Sequence, residues 1–140
     1  MLNKAIEIAN RAHAGQVDKA GEPYILHPLR VMLSMKDELE RICAVLHDVV
    51  EDSDITFDNL RKEGFSEEVI NVLDCLTKRD GESYDDFIDR VIINKIACQI
   101  KLADLYDNMN LCRIKNPTNK DRARIEKYRE AADRILNSLL

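Results

Sequence analysis

Tryptophan is absent from this 140-residue chain, and aromatic residues make up only 5% of it. That excludes the aromatic stacking platforms on which single-strand nucleic-acid binders rely. Glycine (4) and proline (3) are too scarce for the many tight turns of an all-β fold. No apolar run approaches the roughly 20 residues that would span a bilayer. The start, MLNKAIEIANRAHAGQ, lacks the long apolar core of a signal peptide, so a cytoplasmic protein is expected. Basic excess is missing too: 21 Lys and Arg face 26 Asp and Glu, a formal charge of -5. A binder of nucleic-acid backbone would need a basic face, so nucleic acid and membrane are both excluded as expected partners. The four cysteines (Cys43, Cys75, Cys98 and Cys112) form no CxxC pair and lie in apolar stretches. They read as reduced core thiols and rule out an all-thiolate zinc site.

What is present is helical periodicity. Hydrophobic residues reach 45% and charged residues 34%, enough for a core of ordinary size in one domain, residues 1–140. The pattern predicts helices over about 2–14, 28–36, 39–50, 56–62, 66–77, 83–94, 95–114 and 118–139. Gly15 is placed as a stop, Pro28 as a first helical residue, and Thr56, Ser66 and Ser83 as caps. The expected architecture is all-α, a compact bundle of about seven or eight helices. Nothing in the pattern specifies an oligomer.

Three places resist an ordinary structural explanation. His47-Asp48 is followed by Glu51-Asp52, and on a helical wheel the four share one face opposite Ile42, Cys43, Val45, Leu46, Val49 and Val50. A solvated stripe would look similar. However, Asp48 and Asp52 are like charges at i,i+4, the stripe has no Lys or Arg after Arg41, and the acids crowd a helix C-terminus, where the dipole disfavours them. A bound cation would offset all three. Second, Asp104 shares a wheel face with Ala97, Ile100 and Leu111, with Gln99, Tyr106, Asn110 and Arg113 roughly opposite. It therefore points to the core, where a carboxylate needs a lysine, an arginine, a backbone cap or a metal as partner. Asn108 follows one turn later. Third, His27 precedes Pro28, which biases its backbone to extended geometry. His13, the remaining histidine, is assigned packing or hydrogen bonding.

Two imidazoles and two carboxylates suit Mn, Fe, Co, Ni or Zn better than Ca or Mg. Such a site generates hydroxide near neutral pH and polarises a phosphoryl oxygen, leaving Glu51 and Asp52 for proton transfer. The residues by themselves lead as far as a metal-dependent hydrolase of a phosphate ester.

AHAGQVDKAGEPYILHPLRV (12–31), AVLHDVVEDSDIT (44–56), FSEEVINVLDCLTKR (65–79), ESYDDFIDRV (82–91) and IKLADLYDNM (100–109) together resemble the HD-domain superfamily of metal-dependent phosphohydrolases. The nearest likeness is to the hydrolase domain of the RelA/SpoT family and its small stand-alone relatives. The resemblance implies a metal, typically Mn²⁺, held by His27, His47, Asp48 and Asp104. It implies that Glu51 and Asp52 activate or position the attacking water. Lys19 and Asn108 match nucleotide-contacting positions, and Tyr84 lies in a motif lining the site. The implied reaction removes pyrophosphate from the 3′ position of (p)ppGpp, a small-molecule nucleotide. No synthetase segment follows, so hydrolysis without paired synthesis is expected.

Asp18-Lys19 stands where the long enzymes have Arg-Lys, Leu105 where KLADR has its arginine, and Asn110-Leu111 where Arg-Thr follows NM. These departures leave the metal side intact and alter the nucleotide side. Another phosphate ester (NADPH or a nucleoside monophosphate) is therefore the alternative substrate. A non-catalytic nucleotide-sensing module is a further one. Lys19 and Arg30 are the cations expected to meet a polyanionic substrate.

Overall fold

The computed structural model describes residues 1–110 and 114–140. Among them nine helices follow one another: α1 (Leu2–Ala12), α2 (Leu26–Leu33), α3 (Glu38–Leu46), α4 (Val49–Asp52), α5 (Phe57–Lys62), α6 (Glu67–Leu76), α7 (Tyr84–Ile93), α8 (Lys95–Asn108) and α9 (Asn119–Ser138). No strand forms among these residues. One isolated antiparallel bridge joins Val17 to Pro23. The all-α architecture is as expected from the periodicity.

The count exceeds the expected one because the segment foreseen as a single helix over 39–50 breaks in two. α3 ends at Leu46, His47 caps it, and Asp48 opens the single turn α4. The like-charge stripe drawn on an unbroken wheel is therefore interrupted between its first pair and its second. α2 also begins earlier than foreseen. Pro28 is the third helical residue rather than the first, and His27 lies inside the helix with its N–H on the Tyr24 carbonyl at 3.0 Å. The pre-proline bias loses here because Pro28 is still in the first turn, where a missing N–H has no helical acceptor to satisfy. The helix expected over 95–114 ends at Asn108. Leu111, Cys112 and Arg113 fall outside the described residues.

Local chemistry explains most boundaries. Thr56 and Asn59 close a capping box on α5, as Asp37 and Glu40 do on α3 and Thr118 and Asp121 on α9. Ser66 and Ser83 cap α6 and α7 through the amides of Val69 and Asp86. One apolar cluster runs from Ala5 to Ile135, with α3 at its centre: Ile42, Cys43, Ala44, Val45 and Leu46 are all buried. Full burial of each larger side chain is worth about 1.5–3 kcal/mol, which holds α3 rigidly against α1 and α2. Cys43 and Cys98 are buried free thiols, and Cys75 is half-buried. No helix of the described residues is long and apolar enough to cross a membrane.

Candidate metal centre

α2, the α3–α4 junction and α8 meet at one buried polar point inside this apolar frame. The only buried polar or charged residues among the described residues are His13, His27, His47 and Asp104. Asp104 is 4% exposed, as its wheel position required. His27 Nε2 lies 2.8 Å from Asp104 Oδ1, and His47 Nε2 lies 3.3 Å from the same oxygen and 3.1 Å from Asp48 Oδ2. One ligand atom from each of His27, His47, Asp48 and Asp104 falls within 4.8 Å of every other.

This donor set fits a divalent cation. Ligand atoms each about 2.1 Å from a shared ion sit about 3.0 Å apart when adjacent in an octahedron, close to the shorter separations here. Each ligand is also aimed by a second partner. His47 donates from Nδ1 to the Ala44 carbonyl at 2.6 Å, which leaves Nε2 facing the cluster. Tyr24 donates its hydroxyl to Asp48 Oδ2 at 2.6 Å. Lys101 Nζ and Asn108 Nδ2 donate to Asp104 at 2.9 and 3.1 Å. Asp104 thus has one of the partners that its burial demanded, a lysine one turn before it, and in addition imidazoles from other helices.

The electrostatics of the cluster follow from this crowding. Burial alone would depress the His47 imidazole, but Asp48 and Asp104 beside it override that and hold it well above the ordinary value. Burial would raise Asp48, yet His47 draws it down to about 2. Burial likewise opposes ionisation of Asp104, and Lys101 with the two imidazoles keeps it well below the usual carboxylate range. The two acids of α4 move the other way. Burial, Asp48 and Glu51 push Asp52 up to about 6, and burial with Asp48 raises Glu51. The four acids are thereby divided into two that stay ionised and two poised to take a proton.

A cavity of about 420 Å³ opens on His27. It is lined by Lys19, Asp18, Tyr24 and Asn108, and on the far side by Arg124 and Tyr128 of α9. Lys19 and Asn108 are therefore at this pocket, and Asn108 also touches Asp104. Lys19 sits at the tip of a loop closed by Asp18, whose Oδ1 accepts the amides of Ala20 and Glu22 at 2.8 and 3.0 Å. Gly21 takes the positive φ of 82° that this turn requires. Asp52 also borders a larger groove of about 740 Å³ between α1 and α5, whose lining includes none of the four clustered ligands, but its carboxylate feels the charges of Asp48, His47 and His27. The smaller cavity is the one that reaches the ligand cluster, through His27.

Two expectations need correction. Leu105 is fully buried in the core and does not line the pocket, so its difference from an arginine is a difference of packing. Arg30 is engaged in two hydrogen bonds to Asp107, at 2.8 and 3.0 Å, and is not among the residues lining the pocket. Tyr84 is not among the residues lining that cavity but lies close enough to Lys101 and Asp104 to feel their charges. Its hydroxyl is buried without a hydrogen-bond partner, and Lys127 Nζ stands 4.1 Å from its ring centre. The residues that sequence reasoning missed are Tyr24, Lys101 and Asp107. A tyrosine three residues before His27, and acid and base at i±3 from Asp104, are visible spacings, but nothing in them announces a contact across helices. His13 has the hydrogen-bonding role assigned to it, with Nδ1 2.8 Å from Gln16 Oε1.

The HD domain family model matches residues 5–84, more than half of the chain. The chain belongs to the HD domain family. Among curated relatives of this HD domain, a guanosine-3′,5′-bis(diphosphate) 3′-pyrophosphohydrolase of Aquifex aeolicus is 34% identical over 120 residues, covering 77% of this chain and 17% of its own. The enzyme of the same name from Vibrio cholerae is 32% identical over 136 residues, 86% of this chain and 19% of its own. A probable GTP pyrophosphokinase of Mycobacterium leprae is 34% identical over 136 residues, 87% of this chain and 17% of its own. This HD domain thus spans less than a fifth of the length of these relatives. Among solved structures, one described as a metazoan ortholog of SpoT that hydrolyzes ppGpp superposes with a TM-score of 0.79 at 26% identity. That likeness covers 99% of this chain and 84% of the other.

Proposed function

We propose that this HD domain, residues 1–140, is a Mn²⁺-dependent nucleotide hydrolase that removes pyrophosphate from the 3′ position of (p)ppGpp, giving GDP or GTP. The observation that carries the reading is the convergence of His27, His47, Asp48 and Asp104 beneath a cavity that also presents Lys19 and Asn108. Three named similarities support the substrate: two curated 3′-pyrophosphohydrolases and a solved structure described as hydrolyzing ppGpp. The single apolar cluster supports treating the chain as one domain, and the reaction is assigned to the cytoplasm.

The four ligands would hold the cation, which when bound polarises the phosphoryl group and lowers the pKa of water. Glu51 and Asp52 accept the proton that the attacking water loses, as their raised affinity for protons suits them to do. The bond from the 3′ oxygen to phosphorus breaks, and that oxygen takes up a proton as GDP or GTP leaves. Lys19 meets the anionic substrate at the cavity mouth. Replacing Lys19 by alanine is expected to raise KM several-fold while leaving kcat and metal content near those of the parent, since its side chain is exposed and makes no contact with the ligand cluster.

A second reading, hydrolysis of another phosphate ester such as NADPH or a nucleoside monophosphate, is favoured by one observation: Asp18 and Asn110 both line the cavity. An aspartate cannot stack on a base as an arginine does. Incubating the metal-loaded protein with ppGpp and measuring pyrophosphate and GDP by anion-exchange chromatography decides between them. Turnover abolished by a chelator supports the first reading. Absence of turnover in protein shown to hold metal, with release of phosphate from another ester, supports the second. The kcat/KM ratio ranks substrates if both react.

The pH dependence has a definite sign. Asp52 has an ordinary value of 3.8 and is raised to about 6, so acid protonates the proposed base just below neutrality. His27 and His47 are both raised above 6.5 by neighbouring carboxylates despite their burial, and both must lose a proton to bind metal. Both effects make activity rise with pH, Asp52 near 6 and the imidazoles above their ordinary value. At saturating metal the imidazole contribution disappears and a limb at or below about 6 remains. A kcat/KM profile flat from pH 5 to 8 would remove Asp52 from the proton transfer.

A further inference from the structure

The two histidines of the centre are backed by different chemistry. Behind His47 is a neutral backbone carbonyl, that of Ala44. Behind His27 is a carboxylate: Nδ1 lies 2.6 Å from Asp107 Oδ2. That carboxylate is in turn gripped by Arg30, whose Nε and Nη2 reach its two oxygens at 2.8 and 3.0 Å. The arrangement follows from helix geometry. Arg30 stands three residues after His27 on α2, and Asp107 three residues after Asp104 on α8. The Arg30–Asp107 pair therefore repeats, about one turn further along the same two helices, the meeting of His27 with Asp104. An imidazole has two nitrogens, and whichever donates its proton leaves the other as a ligand. A carboxylate on Nδ1 fixes the Nε2 lone pair toward the cluster and strengthens it as a donor. The forked guanidinium fixes the plane of that carboxylate, which a single-point partner would leave free to turn.

We propose that Asp107, clamped by Arg30, is the positioning residue that makes His27 a metal ligand through Nε2. The proposal rests on the reading of the four-residue cluster as a metal centre. Asp107 touches neither substrate nor the reacting atoms; it acts through His27.

The test is metal affinity of the full chain, read by competition of Mn²⁺ and Zn²⁺ with a chromophoric chelator, alongside the imidazole ¹⁵N–¹H correlation of the Zn²⁺-loaded protein. The wild type is expected to bind metal and to show a proton on His27 Nδ1. D107N is expected to lose affinity about 10–100-fold. R30M keeps the carboxylate but frees it, and is expected to lose less, while R30K restores part of that loss. D107N leaves Arg30 without its partner and could lower stability. The double variant R30M/D107N leaves no orphaned charge, and is expected to bind as weakly as D107N with a thermal melt like that of the parent. D107N or the double variant binding within twofold of wild type overturns the proposal, as does a Zn²⁺-loaded wild type with His27 protonated on Nε2. A wild type that binds neither metal overturns the metal centre itself, and this inference with it.

Discussion

Replacing His47 by alanine is expected to remove the bound divalent cation and the hydrolytic activity together. His47 is 3% exposed, its Nδ1 is committed to Ala44, and its Nε2 is directed at Asp48 and Asp104. Alanine supplies no donor, and at the end of α3, whose last five residues are all buried, no neighbouring side chain can swing into the gap. The remaining set would be one imidazole and two carboxylates, the latter now repelling each other without their nearest counter-charge. Removing one partner of a buried charge pair costs about 3–5 kcal/mol, so the metal-free variant is also expected to melt earlier than the parent. Metal content by mass spectrometry, pyrophosphate release and thermal melting check all three parts. A variant that retains stoichiometric metal and normal turnover would show that the cluster is not the reactive centre.

The second large effect separates holding the metal from moving the proton. Glu51→Gln and Asp52→Asn preserve side-chain size and hydrogen-bonding capacity but remove the ability to accept a proton. Neither residue belongs to the convergent ligand set. Metal content is therefore expected to stay near that of the wild type while kcat falls, by about 10²–10⁴-fold for the true base and less for its neighbour. KM is expected to change little, because neither carboxylate lines the cavity beneath Lys19. The variant of the true base should also lose the acid limb of the pH profile in whatever activity remains. If both variants turn over at the parental rate, proton transfer lies elsewhere.

Much of this centre is legible in the amino-acid sequence. His47, Asp48 and Asp104 stand out because each breaks a local rule: like charges one turn apart without a cation, or a carboxylate on an apolar face. Such violations have local causes, so a wheel drawn on one segment reveals them. The same wheel fails where its premise of an unbroken helix fails. At His47-Asp48 the chain turns between α3 and α4, so Asp48 joins the ligand cluster while Asp52 stays outside the ligand set and also borders a second groove. Resemblance alone puts Leu105 on the nucleotide side, and its full burial assigns it to the core. Arg30, a cation near a histidine, suggests a substrate contact, but a carboxylate 77 residues away claims it.

The helical class, most of the caps, and the set of side chains that fit neither core nor solvated surface all follow from the chain's own pattern. Those properties depend on residues three or four positions apart, and helix geometry relates such residues without reference to the rest of the chain. Which residues meet is a matter of packing. His27 reaches Asp104 across 77 residues and Asp107 across 80, and His47 reaches Asp104 across 57. A helix's own period states which face will be buried. It says nothing of which residue will arrive opposite, because that depends on how α2, α3 and α8 pack around a shared apolar core.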